Sequence, residues 1–204
     1  MIHESAPWKA GLAADAALLE RWANKPPSER RSFLIERKIL LAAYALRKLG
    51  EAFKLSTVTL AAEIDVKRYA SLKTGYAAIN NLRFEDYFDL ERPVSMHMKR
   101  RRLIDVLIHS LVFIESVDDD GRCTGFLVTS DHESARGLIE VQLSDFIALM
   151  RLAADDFPSA MTTAFNATKG GWDVWTGHDP EITKKISGLL DLAGTSYSID
   201  REKK

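Results

Sequence analysis

Apolar positions follow two rhythms along this chain, and the change between them divides it. Near the amino end Trp8, Leu12, Ala16, Leu19 and Ala23 recur at steps of three and four, one face of an amphipathic helix. Arg21 and Lys25 lie near its end, where the macrodipole favours cations. Pro26-Pro27 stops it, because proline brings no amide hydrogen and restricts the residue before it. Ser28 is expected to cap a second helix running to about Leu49, with Gly50 just beyond as the left-handed residue. Phe33, Ile35, Ile39, Leu40, Ala43, Leu46 and Leu49 cover so much of this helix that it is expected to be touched from two sides.

The period then shortens to two. Val58, Leu60, Ala62, Ile64 and Val66 alternate with Thr59, Ala61, Glu63, Asp65 and Lys67, which predicts a half-buried strand. The same residues, followed by Lys67 and Arg68, also fit the opening of a helix-turn-helix whose second helix, Tyr69 to Leu82, would enter a major groove. Asp65 at the turn and Gly75 within that helix weigh against it. Residues 70–98 show no sustained period. Tyr76, Phe84, Tyr87, Phe88 and Leu90 predict a packed surface loop with a short helix around Phe84 to Leu90.

The run Leu103 to Ile114 reads as sheet core. Leu111 to Val117 and Cys123 to Thr129 predict strands joined by Asp118-Asp119-Asp120-Gly121-Arg122, since an Asp-Gly pair between such runs favours a hairpin. Ser130 to Arg136 is a polar turn, and Gly137 to Leu143 a third strand of the meander. Ser144 caps a helix with Phe146, Ile147, Met150 and Ala153 in a stripe, ended by Pro158. Ser159 is expected to cap another, Met161 to Thr168, stopped by Gly170-Gly171. Asp179-Pro180-Glu181 opens a last helix carrying Ile182, Ile186, Leu189, Leu190 and Ala193.

The pattern predicts an α+β fold: N-terminal helices, an antiparallel β-meander of about four strands, and C-terminal helices packed on one sheet face. Residues 1–194 are expected to form a single α+β domain, with 1–50 a helical layer, 53–143 strands and a long loop, and 144–194 helices. Residues 195–204 are expected to be a flexible tail.

Composition narrows the functional classes. The 204 residues are 46% hydrophobic and carry a net charge of −1, so attraction to nucleic acid or anionic lipid would need a local patch. Cys123 is the only cysteine, which excludes an intramolecular disulfide and fits a reducing compartment. The first residues lack a basic and apolar leader pattern. Leu103 to Ile114 is interrupted by Asp105, His109 and Ser110, far short of the roughly 20 apolar residues that span a bilayer. A soluble, cytoplasmic protein with no membrane partner is expected.

The chemical candidates are few. Aligning Gly121 with the glycine of a calcium loop puts Ser116 at the first ligand position and Leu127 where a bidentate glutamate belongs, so this loop is a turn. No histidine pair has the spacing of a helical zinc motif. A polar cluster of His109, Asp131, His132 and Glu133, with His97 added, would have to assemble across the fold. His109, inside an apolar run, reads first as a buried, hydrogen-bonded core residue and second as an acid–base or metal group. Nucleophile elbows and phosphate-binding glycine motifs are absent, and no metal or cofactor is expected. Lys99, Arg100, Arg101 and Arg102 form the one strong basic run, suited to a phosphate backbone or an acidic partner, with Lys67 and Arg68 as possible helpers.

Trp172 and Trp175, three apart between glycines, read first as a lid on the core at the junction of the last two helices and second as a stacking platform or interface hot spot. The sequence therefore reads as a protein-interaction or regulatory module, binding itself or another protein, with Tyr87, Phe88, Trp172 and Trp175 as the expected contact residues. Nucleic-acid binding through Lys99–Arg102 is the alternative. An enzyme or metal site around His109 and His132 is the third reading.

Overall fold

In the computed structural model, which describes residues 2–179 (backbone alone at 78 and 80–82), Ala6–Ala23 forms helix α1. Its buried stripe is Lys9, Leu12, Ala16, Leu19 and Ala23. Lys9, not the exposed Trp8, begins the stripe. Glu29–Glu51 forms α2, whose cap Ser28 accepts the Arg31 amide at 3.2 Å. The helix overruns its expected end, so Gly50 lies inside it. The left-handed residue is Phe53, at φ 57°. Its amide donates to the Gly50 carbonyl and that of Lys54 to the Leu49 carbonyl, the paired closure of a Schellman end. Gly50 answers a different need: a Cβ there would come within 2.4 Å of Leu60 Cδ1. Phe33 is exposed, and the inward face is Ile35, Ile39, Ala42, Ala43, Leu46 and Leu49, with Arg31 at its start.

The alternating stretch is part helix and part strand. Thr57–Ala61 makes a single helical turn, α3, capped by Ser56, and β1 covers Glu63–Ala70. No helix spans 69–82, so the helix-turn-helix reading is corrected: β1 occupies its start, and a 3-10 segment, Ala78–Asp86, lies beyond. Val94–Lys99 is a further strand, β2, within the stretch that shows no sustained period. Arg100–Ile108 is a helix, α4, burying Leu103, Ile104, Val106 and Leu107. The first half of the long apolar run is therefore helical rather than sheet core. Its apolar residues come in adjacent pairs one turn apart, and such pairs fill a broad helix face as readily as a two-sided strand.

The meander is present: β3 is Ser110–Val117, β4 Cys123–Ser130 and β5 Gly137–Gln142. Gly121 takes φ 73° in the β3–β4 turn, the positive value that an Asp-rich turn needs. One helical turn, α5 (Asp131–Ser134), separates β4 from β5. Leu143–Asp155 is α6, with Gln142 rather than Ser144 at its cap. The helix expected over 161–168 is replaced by a two-stranded ribbon, β6 (Ala160–Asn166) and β7 (Gly171–Gly177). Thr162 and Thr163 lose rotamer freedom in a helix and favour the extended chain, and Gly170 makes the turn at φ 64°. The helix expected from Asp179-Pro180-Glu181 and the tail lie outside the described residues.

The main sheet has five strands in the order β2-β1-β5-β4-β3, all neighbours antiparallel. Its inner face, including Ile64, Val66, Phe126, Val128, Ile139 and Val141, packs on α1, α2, α4 and α6. α2 lies between α1 and α4, touched from two sides as its pattern predicts. On the outer face, Val112 and Leu138 are covered by Tyr76 and Phe88 of the 71–92 connection. The β1–β2 end of that face carries Asp65, Lys67 and His97 and lacks this cover among the described residues. Among the described residues no helix is long and apolar enough to cross a membrane.

Candidate functional site

A buried polar arrangement lies where α1, α3, the end of α6 and the base of the ribbon meet. Lys9 is only 1% exposed. Its Nζ donates to the main-chain oxygen of Asp156 and sits 3.8 Å from the centre of the Phe157 ring. Burial, partly offset by Asp156 and reinforced by Lys54, lowers its pKa to about 8. The Asp156 carboxylate turns away from this ammonium. It accepts the Ser56 amide at 2.7 Å and the Thr59 hydroxyl at 2.6 Å, and His178 Nε2 lies 2.7 Å from its other oxygen. Burial alone would raise its pKa; the bonds from Thr59, Ser56 and His178 outweigh it and hold the carboxyl below its ordinary value. A cleft of about 260 Å³ opens beside Lys9, walled by Phe53, Phe157, Pro158 and Met161, with Lys54 at its side.

The ribbon rises from this joint. Thr176 fixes its base: the Thr176 amide donates to Thr57 Oγ1 at 2.9 Å and its hydroxyl to the Leu55 carbonyl at 2.7 Å. Phe165 and Trp172 are directly paired across the strands, their rings 5.4 Å apart and edge-to-face. They are 59% and 66% exposed. Strand alternation puts Met161, Thr163, Val174 and Thr176 on the same face, so that face has no charged side chain. The other face carries Asn166 and Asp173, bonded at 2.7 Å, and Trp175, and Lys169 beyond the strand ends pairs with Asp173. Trp172 and Trp175 therefore point to opposite sides, because residues three apart do so on a strand, whereas on a helix they would adjoin.

The residues singled out by sequence are scattered. Within the 71–92 connection Phe88 is buried and Tyr87 half-buried, each edge-on to Tyr76, so neither shares a surface with the tryptophans. Lys99 ends β2 and faces outward beside Glu63, its cross-strand partner. Arg100 donates to the Thr59 carbonyl at 3.4 Å, and Arg102 reaches Glu133 at 2.6 Å. Glu133 is buried and also receives Arg68 at 3.2 Å, with Arg136 at 3.8 Å. It is an anchor joining α4, β1 and α5. Lys67 lies 3.6 Å from Glu140. Arg101 is exposed; with Arg100, Arg102, Lys67 and Arg68 each facing a protein acceptor, the basic residues do not form one open patch.

His109 is exposed at the end of α4, 3.5 Å from Arg47, which corrects its expected place in the core. His132 is 91% exposed at its side chain and lies 3.8 Å from Asp131. No three metal-ligating side chains converge among the described residues. His97 pairs with Asp65 at 2.6 Å on the open outer face, where Ser95, Glu140 and Asp145 complete a shallow groove. Cys123 is buried, and burial followed by the nearby Glu115 pushes its thiol up to about 12. That makes it a poor nucleophile.

Lys9, Asp156 and Phe165 escaped the sequence reading. Lys9 carried a signal: it stands three residues before Leu12 on the α1 stripe, a charge at an inward position. Asp156 gave none, because its partners come from residues about a hundred positions away. No family model matches this chain, and neither does any curated protein or solved structure.

Proposed function

We propose that this chain is a protein-interaction module whose partner is a second copy of itself, joined through the apolar face of the β6–β7 ribbon. One observation carries the reading: Phe165 and Trp172 stand exposed and paired on a ribbon face free of charge. Large exposed apolar side chains grouped in this way mark interaction sites, and aromatic anchors dominate interface energies. A face with no charge offers nothing to a charged partner and is complementary to itself, which suits a two-fold interface. A net charge of −1 does not oppose association. Seven-residue strands span roughly 23 Å, so the buried area falls at the low end of specific interfaces.

Sedimentation equilibrium tests this. The wild-type chain should shift with concentration from 22.9 kDa toward twice that mass. Phe165→Ser with Trp172→Ser should weaken association at least tenfold while leaving the far-ultraviolet circular dichroism intact. A monomer at all concentrations, or a variant that dimerises like wild type, removes the reading.

A further inference from the structure

The cleft beside Lys9 has the chemistry of a ligand site, independently of the ribbon's outer half. An ammonium carries three donors. Within the described residues the Lys9 ammonium has one hydrogen-bond acceptor, the Asp156 main-chain oxygen, and one ring face, that of Phe157. Among the described residues no carboxylate lies within ion-pair distance of it, and that of Asp156 is committed to Ser56, Thr59 and His178. Buried cations in proteins are ordinarily paired, and among the described residues this one has no anionic partner. Lys54 adds a second positive charge at the cleft, and no acidic side chain lines it. The other walls are mainly apolar, with Phe53, Phe157, Pro158 and Met161 the large side chains, and Ser5 and Thr176 add two uncharged hydroxyls.

Phe53 sharpens the point. It holds a left-handed backbone conformation that glycine would adopt more easily, and its ring stands on the cleft wall. The volume, about 260 Å³, is slightly below the range typical of drug-sized ligands and limits the occupant to a small molecule. We propose that this cleft binds a small organic carboxylate bearing one apolar ring or a short chain. The carboxylate sits on Lys9 with Lys54 nearby, and the apolar part lies between Phe53, Phe157 and Met161.

An anion there restores the charged state of Lys9, so binding above pH 8 should take up a proton. The charged groups acting on Lys9 are Asp156 and Lys54. The test is isothermal titration calorimetry of the full chain with benzoate and octanoate at pH 7 and pH 9, in buffers of different ionisation enthalpy. We expect saturable binding, at least tenfold weaker for benzamide, with proton uptake at pH 9 that disappears in Lys9→Met. Met161→Trp, which fills the cleft from a partly exposed position, should abolish binding without loss of fold. The double change at Phe165 and Trp172 should leave it intact, since those rings lie about 13 Å along the ribbon from Met161. Absence of binding by either acid at about 10 mM, equal affinity for benzamide, or binding insensitive to both Lys9→Met and Met161→Trp would overturn the proposal.

Discussion

Lys9 shows what a single residue decides. It sits at an inward position of an otherwise apolar stripe, so its charge is exposed to the full effect of burial. In the unfolded chain its pKa is the ordinary 10.5, and in the folded chain it falls to about 8. Between those values the unfolded state holds the proton that the folded state has released. Stability from this group therefore rises as pH climbs from 8 to 10.5, and the penalty of burying the charge is complete below 8. Urea unfolding across that interval should show this rise, and Lys9→Met should remove it. An identical slope in the two proteins would mean that the amine is not desolvated. Sequence could signal the burial of Lys9 through its place on the helix face, but not the committed carboxylate beside it. Asp156 is bonded to Ser56 and Thr59 from a distant segment, and such pairings leave no local spacing to detect.

At the level of elements, the legible parts were those whose period and end signals agree. Helices α1 and α2 have stripes, a proline stop and a serine cap, and β3 and β4 have a glycine turn between β-branched runs. The hidden parts lacked that agreement. α4 runs from the basic cluster into the first half of a long, mainly apolar run, β2 is a short strand within an aperiodic stretch, and β6 follows a serine that resembles a cap. Ser159 instead accepts the Asp179 amide with its hydroxyl, at 3.2 Å, tying together the two ends of the ribbon. Between elements, Arg31 is a buried tie. From the first turns of α2 it donates to the Lys25 and Gly121 carbonyls, each at 2.6 Å, and to Glu115 of β3 at 2.5 Å. Both members of this ion pair are largely buried. Arg31→Ala leaves Glu115 without its partner, which should lower stability by about 3–5 kcal/mol. Arg31→Ala with Glu115→Ala together should lose less than Arg31→Ala alone. A loss below about 1 kcal/mol for the single change, measured by denaturant titration, would show that the tie is screened like a surface pair.

At the scale of the whole molecule, helices cover the inner sheet face, the 71–92 connection covers part of the outer one, and the ribbon stands apart from both. A two-stranded ribbon is marginal by itself. Its base is anchored through Thr176, Thr57 and Leu55, while its paired aromatics remain in solvent. The mixed helix-and-sheet class was readable from the change of period, but the position of this face was not, because a helix was expected where β6 lies. Self-association would supply the missing cover. It is tested most directly by placing a single thiol on either side of the ribbon. Thr163→Cys lies on the uncharged face and Thr162→Cys on the opposite one, both exposed. Packed sheets stand about 10 Å apart, so a thiol crosslinker of about that length should trap a covalent dimer efficiently from Thr163→Cys and poorly from Thr162→Cys. The Thr163→Cys product should vanish when Phe165 and Trp172 are both changed to serine. Equal trapping from the two positions, or trapping that survives the loss of both rings, would contradict an interface on that face.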